Sequence, residues 1–201
     1  MVEIDVRLTK DKIPVLSHDD SLKRISGKKI LISRSSLERL KNIRLKNDER
    51  IATLDEALDV AKGRISILLD IKVQGMERKV VESISERKIR DSVIVSSVNL
   101  NVLKKIKKID PRLRTALIFR FLKSSVIRAK RLGCYSVHPH HLGATKKLIK
   151  FAKKHKLKVH PFTVDNSKRM RKLVSQGVDG IITNKPVLLR NVLFDMNSPS
   201  K

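Results

Sequence analysis

Short β-rich runs alternate with amphipathic helical runs along this chain, and that alternation constrains the fold more than any other feature. Strand-like runs fall at Val2–Leu8, Ile13–Leu16, Ile65–Ile71, Val93–Val98, Thr115–Phe119, Tyr135–His138, Leu157–Val164 and Gly180–Thr183. Between them the spacing predicts helices over Leu37–Leu45, Leu54–Ala61, Met76–Ile84, Leu100–Ile109, Ser124–Leu132, Thr145–His155, Ser167–Gln176 and Val187–Phe194. Thr53 and Glu56 stand three apart, as the two halves of a capping box do. A β-α-β-α order argues for a parallel sheet covered by helices. Ile67, Leu68 and Leu69 are apolar on successive positions, as in a strand buried on both faces. A doubly wound open sheet and a TIM-type barrel both satisfy this α/β pattern. Neither GxGxxG nor GxxxxGK occurs, which weakens nucleotide-binding readings.

At 201 residues the chain suits one domain and needs no staple to fold. Its single cysteine, Cys134, rules out a disulfide framework and suggests a reducing, cytoplasmic setting. No run approaches the roughly 18 apolar residues of a membrane span. Glu3 and Asp5 so near the start do not suit a signal peptide. The formal net charge is +26, and it is lopsided: residues 101–201 hold 25 basic and 4 acidic side chains, with no Glu. Such a field favours phosphate esters, anionic lipid surfaces or nucleic acid, or it is simply a lysine-rich solvated surface. Five Phe, one Tyr and no Trp argue against a reader of single strands, which stacks bases on rings.

Glu3 and Asp5 lie at i and i+2 of an apolar strand, so both carboxylates face one way and Val2, Ile4 and Val6 the other. Asp70 and Lys72 repeat this spacing at the end of a second strand. Clustered carboxylates repel and call for a cation, either a hard divalent metal or an ion pair with Lys72. His18, in Ser17-His18-Asp19-Asp20, follows strand material in a loop; beside carboxylates it could serve as acid or base, or stand idle at the surface. Five other histidines follow, among them His138, His140, His141 and His160.

Together these segments resemble the glycerophosphodiester phosphodiesterase family over nearly the whole chain. Residues 2–11 are similar to its E-x-D-V-x-x-T-x-D segment, and residues 14–24 to P-V-x-x-H-D-x-x-L-x-R. Ile51–Leu58 resembles I-P-T-L-x-E-x-L, and Asp70-Ile71-Lys72 stands where the family has E-I-K. Residues 159–164 resemble V-x-x-W-T-V, and residues 177–186 G-V-D-G-I-I-T-D-x-P. The resemblance implies a TIM barrel that hydrolyses glycerophosphodiesters to sn-glycerol 3-phosphate and an alcohol. It implies that Glu3, Asp5 and Asp70 bind one divalent cation, Mg²⁺ or Ca²⁺. It assigns Lys72 to a phosphate oxygen, His18 to acid–base catalysis and Phe162, in place of Trp, to the mouth of the site. The family's H-R strand and P-E-N-T segment, which supply a second catalytic His, are absent from these 201 residues. The expectation is therefore a barrel domain at 1–196 with about seven of eight βα units and a tail at 197–201. Its activity should be impaired, and its open edges at Val2–Leu8 and Gly180–Thr183 should favour self-association. A non-catalytic remnant binding phosphate or anionic lipid is the alternative, and a basic nucleic-acid binder the third reading.

Overall fold

The computed structural model describes residues 1–197. Of the tail expected at 197–201, residues 198–201 lie outside the described residues. Two compact units, Met1–Arg114 and Thr115–Lys201, divide the chain.

In the first unit, β1 (Val2–Leu8) turns into β2 (Pro14–Leu16), which covers only its Val6–Leu8 end in antiparallel pairing. Two short helices follow, α1 (Lys23–Ser26) and α2 (Leu37–Lys41). Next come α3 (Leu54–Ala61), β3 (Ile67–Ile71), α4 (Glu77–Glu86), β4 (Val93–Ser97) and α5 (Leu100–Ile109). β1, β3 and β4 run parallel, with Asp5 opposite Asp70 and Asp70 opposite Ser96. All five residues of β3 are buried, as its unbroken apolar run implies. Val6, Ile67, Leu69, Val93 and Val95 pack with Leu58, Val80, Val102 and Ile106 of the covering helices. The capping box at α3 is present: the Glu56 N–H donates to Thr53 Oγ1 at 3.2 Å, and the Thr53 N–H to Glu56 Oε2 at 2.8 Å. The helix expected at Leu37–Leu45 stops at Lys41. Its apolar residues serve a separate small core, in which Leu40 and Ile43 join Val15, Leu22, Ile32 and Ile51.

The second unit runs β5 (Arg114–Phe119), α6 (Lys123–Arg131), β6 (Ser136–Pro139), α7 (Lys146–Lys154), β7 (Lys158–Val159), α8 (Ser167–Ser175) and α9 (Pro186–Asn197). β5, β6 and β7 are parallel neighbours. The strand expected over Leu157–Val164 shrinks to two residues, because neither Pro139, facing it from β6, nor Pro161, facing residues 180–183, has an N–H to give the ladders on its two sides. Its backbone still follows β6, with the Phe162 N–H donating to the Pro139 carbonyl at 3.1 Å. Gly180–Thr183, expected as a strand, has no regular strand structure. It keeps scattered bonds to its neighbour: Ile182 donates to Pro161 and accepts from Val164, each at 3.0 Å. Among the described residues no helix is long and apolar enough to cross a membrane.

Candidate active site

Strand period and strand register build the site together. The period of two puts Glu3 and Asp5 on one face of β1, while the parallel register sets Asp5 beside Asp70 of β3. Glu3, Asp5 and Asp70 consequently bring ligand oxygens within 4.8 Å of one another. Lys72 sits on the same face as Asp70. Its Nζ lies 2.7 Å from Asp5 Oδ1 and 2.5 Å from Asp70 Oδ2. The metal and ion-pair alternatives thus meet on one set of residues.

Charge separates them. Three carboxylates, if all are ionised, against one ammonium would leave two negative charges, at a place where the Asp70 side chain is only 9% exposed. Glu3 is exposed as a residue, yet its carboxyl is drawn in beside Asp5. Desolvation first, and then the negative charge of Asp5 and Asp70, push it up to about 7. Desolvation also raises Asp70, against the pull of Lys72. Burial works against the Lys72 ammonium, but its bonds to Asp5 and Asp70 outweigh that and raise it. A divalent cation would bring the charge of the cluster to zero. The donors are all carboxylate oxygens, which suit a hard cation rather than a thiophilic one, so the residues fit such an ion.

His18 stands in the loop after β2, which is tied to β1 by the Ser17 N–H donating to the Asp5 carbonyl at 3.0 Å. Its Nδ1 is 2.7 Å from Asp19 Oδ1, and Arg24 Nε donates to Asp19 Oδ2 at 2.8 Å. The Arg24 bond, and then the His18 bond, hold the Asp19 carboxyl down at about 2, so Asp19 remains an acceptor that orients the imidazole. Asp5, Ser17, His18 and Arg24 line a shared open pocket of about 250 Å³. Sequence reasoning missed Arg7, whose Nε donates to the His18 carbonyl at 2.9 Å. The signal was available, since residues 3, 5 and 7 share one face of β1.

Phe162, the remaining expected site residue, belongs to the second unit, and the other five belong to the first. It meets the ring of His140 edge-on at 5.8 Å. His140 in turn lies against His141 at 4.6 Å. Deeper in, His138 Nε2 is 3.1 Å from Ser136 Oγ and 3.2 Å from His160 Nδ1. Complete burial, and then the proximity of His160, drive His138 down to about 3, so it is neutral at ordinary pH. Its Nδ1 is buried with no hydrogen-bond partner.

The model of the glycerophosphoryl diester phosphodiesterase family matches residues 1–188. A glycerophosphodiester phosphodiesterase of Caldanaerobacter subterraneus is 31% identical over a gapped alignment of 207 positions that covers 96% of this chain and 85% of that one. Another from Bacillus altitudinis is 29% identical over 92% of this chain and 82% of its own. Among solved structures, an Oleispira antarctica phosphodiesterase in complex with the product sn-glycerol-3-phosphate is similar with TM-score 0.89. It is 27% identical over 96% of this chain and 84% of that one. A glycerophosphodiester phosphodiesterase from Parabacteroides distasonis gives TM-score 0.87 at 25% identity, over 98% of this chain and 84% of that one. The α/β fold is that of these barrel proteins.

Proposed function

Because the chain belongs to the glycerophosphoryl diester phosphodiesterase family, we propose that its site hydrolyses glycerophosphodiesters to sn-glycerol 3-phosphate and an alcohol. Glu3, Asp5 and Asp70 would hold one divalent cation, Mg²⁺ or Ca²⁺. The observation that carries this reading is the convergence of the three carboxylates around a single ammonium. The sn-glycerol-3-phosphate held by the Oleispira relative supports the substrate class. When bound, the cation supplies polarisation of the phosphoryl oxygen and stabilises the charge that builds there.

The chain's own residues do the rest. Lys72 swings from the carboxylates toward a phosphate oxygen, for which a flexible ammonium is suited. Asp19 holds His18 by Nδ1, which leaves Nε2 to exchange a proton with the reacting oxygen. The hydroxyl next to the ester in the substrate gives up its proton as it attacks phosphorus, the departing alcohol oxygen takes up a proton, and water then opens the resulting cyclic phosphate to sn-glycerol 3-phosphate.

The 201 residues contain no H-R pair, so by themselves they turn over slowly, one histidine short of the acid–base pair. Edge pairing through the uncovered part of β1 gives the chain a tendency to self-associate, and a reducing cytoplasm suits the buried Cys134. The excess of basic charge favours a second reading, a binder of phosphate or anionic lipid without turnover. Release of glycerol 3-phosphate from glycerophosphocholine separates the two. It should be measured for this chain and for a fusion carrying a relative's H-R and P-E-N-T segment before Met1. The fusion should be active with Mg²⁺ or Ca²⁺ and silent after chelation. A fusion that folds yet releases no product, or whose rate ignores chelation, overturns the reading.

A further inference from the structure

The second unit exposes apolar side chains on two loops that leave the same end of its sheet. Phe121 and Leu122, between β5 and α6, are 57% and 62% exposed, and Leu142, between β6 and α7, is 63% exposed. β5 and β6 are parallel, with Phe119 opposite Pro139, so both loops emerge side by side. They also touch. A Cβ at Gly143 would run into the Arg120 carbonyl oxygen and lie 3.1 Å from the Phe121 ring, so a glycine is what lets the loops close up. The Phe121 ring turns toward His140, 6.1 Å away. The three apolar side chains therefore form one patch.

The charge along the stretch of chain that carries these loops has one sign. From residue 111 to residue 164 the chain holds 14 Lys and Arg and no acidic residue. Lys123 opens α6, and Lys146 and Lys147 open α7, next to the patch; all three are exposed. Apolar side chains followed on both loops by exposed lysines match the two components of a phospholipid surface, its acyl boundary and its phosphates. A nucleic-acid duplex would satisfy the lysines but leave the apolar trio in water, and it offers Phe121 alone for stacking.

We propose that these two loops dock the protein on anionic phospholipid membranes, with Phe121, Leu122 and Leu142 entering the headgroup region while Lys123, Lys146 and Lys147 contact lipid phosphates. This surface stands independently of the phosphodiesterase reading. Binding works through two weak signals, apolar insertion and charge, and neither suffices alone.

Co-sedimentation with vesicles tests it, using phosphatidylcholine alone and an equal mixture of phosphatidylcholine and phosphatidylglycerol. The protein should sediment with the mixture only, and less so as salt rises. Replacing Phe121, Leu122 and Leu142 together by Ser should weaken partitioning about tenfold or more. Replacing Lys123, Lys146 and Lys147 together by Gln should weaken it by roughly 10²-fold, since each basic residue near such a surface is worth about fivefold. Unchanged thermal midpoints show that the variants fold; if the serine variant does not, Leu142→Ser alone should still weaken binding. The proposal is overturned by a wild type that ignores the mixed vesicles or binds both kinds equally. A serine variant that binds as wild type overturns it too. So does preferential binding of a DNA duplex that the serine replacements leave intact.

Discussion

Two strand ends in this chain bury ionisable groups, and they meet the cost of burial in opposite ways. At the ends of β1 and β3 the charges are kept and paired, with Lys72 between Asp5 and Asp70. At the end of β6 the charge is given up, and His138 stays neutral down to about pH 3. The first arrangement retains an excess of negative charge and so remains open to a cation. The second holds none, and it bonds through neutral nitrogen and hydroxyl groups. A strand end that keeps its charge is prepared for an ionic ligand; one that discharges its groups is prepared for packing.

Four measurements break or sharpen this contrast. The largest effect falls on His18. In the fusion that carries a relative's H-R segment, His18→Ala should lower turnover by roughly 10²-fold or more and leave phosphodiester affinity nearly unchanged, as removal of a general acid–base does. Turnover within a few-fold of wild type would demote His18 to a bystander.

Next comes Lys72→Met, which strips the ammonium from Asp5 and Asp70. Breaking a buried pair from one side costs about 3–5 kcal/mol; the Lys72 side chain is 21% exposed, so a loss near the bottom of that range is expected in urea unfolding. Saturating Ca²⁺ should restore part of it. A variant as stable as wild type without metal would mean that the carboxylates need no partner.

The third prediction concerns pH. The folded value of His138 lies below its ordinary value, so the unfolded chain binds more protons between about pH 3 and 6.5 and stability falls as pH falls through that window. Between pH 7 and 5 this single group contributes a loss of about 2 kcal/mol. Depression of His160, by burial first, acts in the same direction. His138→Gln should flatten the profile over this range, and equal slopes in wild type and variant would show that His138 is not discharged by folding.

The smallest effect is expected of Arg24→Ala on stability. Both Arg24 and Asp19 reach solvent, and exposed pairs are worth about 0–1 kcal/mol. The change should instead loosen Asp19 and, through it, the orientation of His18. A fall in the turnover of the fusion with no shift in unfolding midpoint is the expected signature.

Much of the carboxylate site was legible from local pattern. Period-two spacing placed Glu3 with Asp5 and Asp70 with Lys72, and the apolar run of β3 marked it as buried. The register that sets Asp5 opposite Asp70 was not legible, since pairing between strands 65 residues apart in the chain is decided by the whole sheet. The state of His138 was hidden for a related reason. A histidine after Tyr135-Ser136-Val137 looks the same in sequence whether it meets solvent or is sealed by neighbouring strands. The region from 15 to 51 misled for another reason. Its apolar residues serve a small separate core through turns and one-turn helices, which carry too few residues to show a period. Gly180–Thr183 has the composition of a strand, but Pro161 on the facing segment interrupts the ladder it would join.

Calorimetric titration of the metal-free protein with Mg²⁺ and with Ca²⁺, in wild type and Asp5→Asn, tests the central claim most directly. The account predicts one site per chain in wild type for at least one of the two ions. Asp5→Asn should weaken it by tenfold or more, since Asp5 is one of the three converging carboxylates. No binding of either ion, or an isotherm that Asp5→Asn leaves unchanged, would contradict it and leave Lys72 as the cluster's only cation.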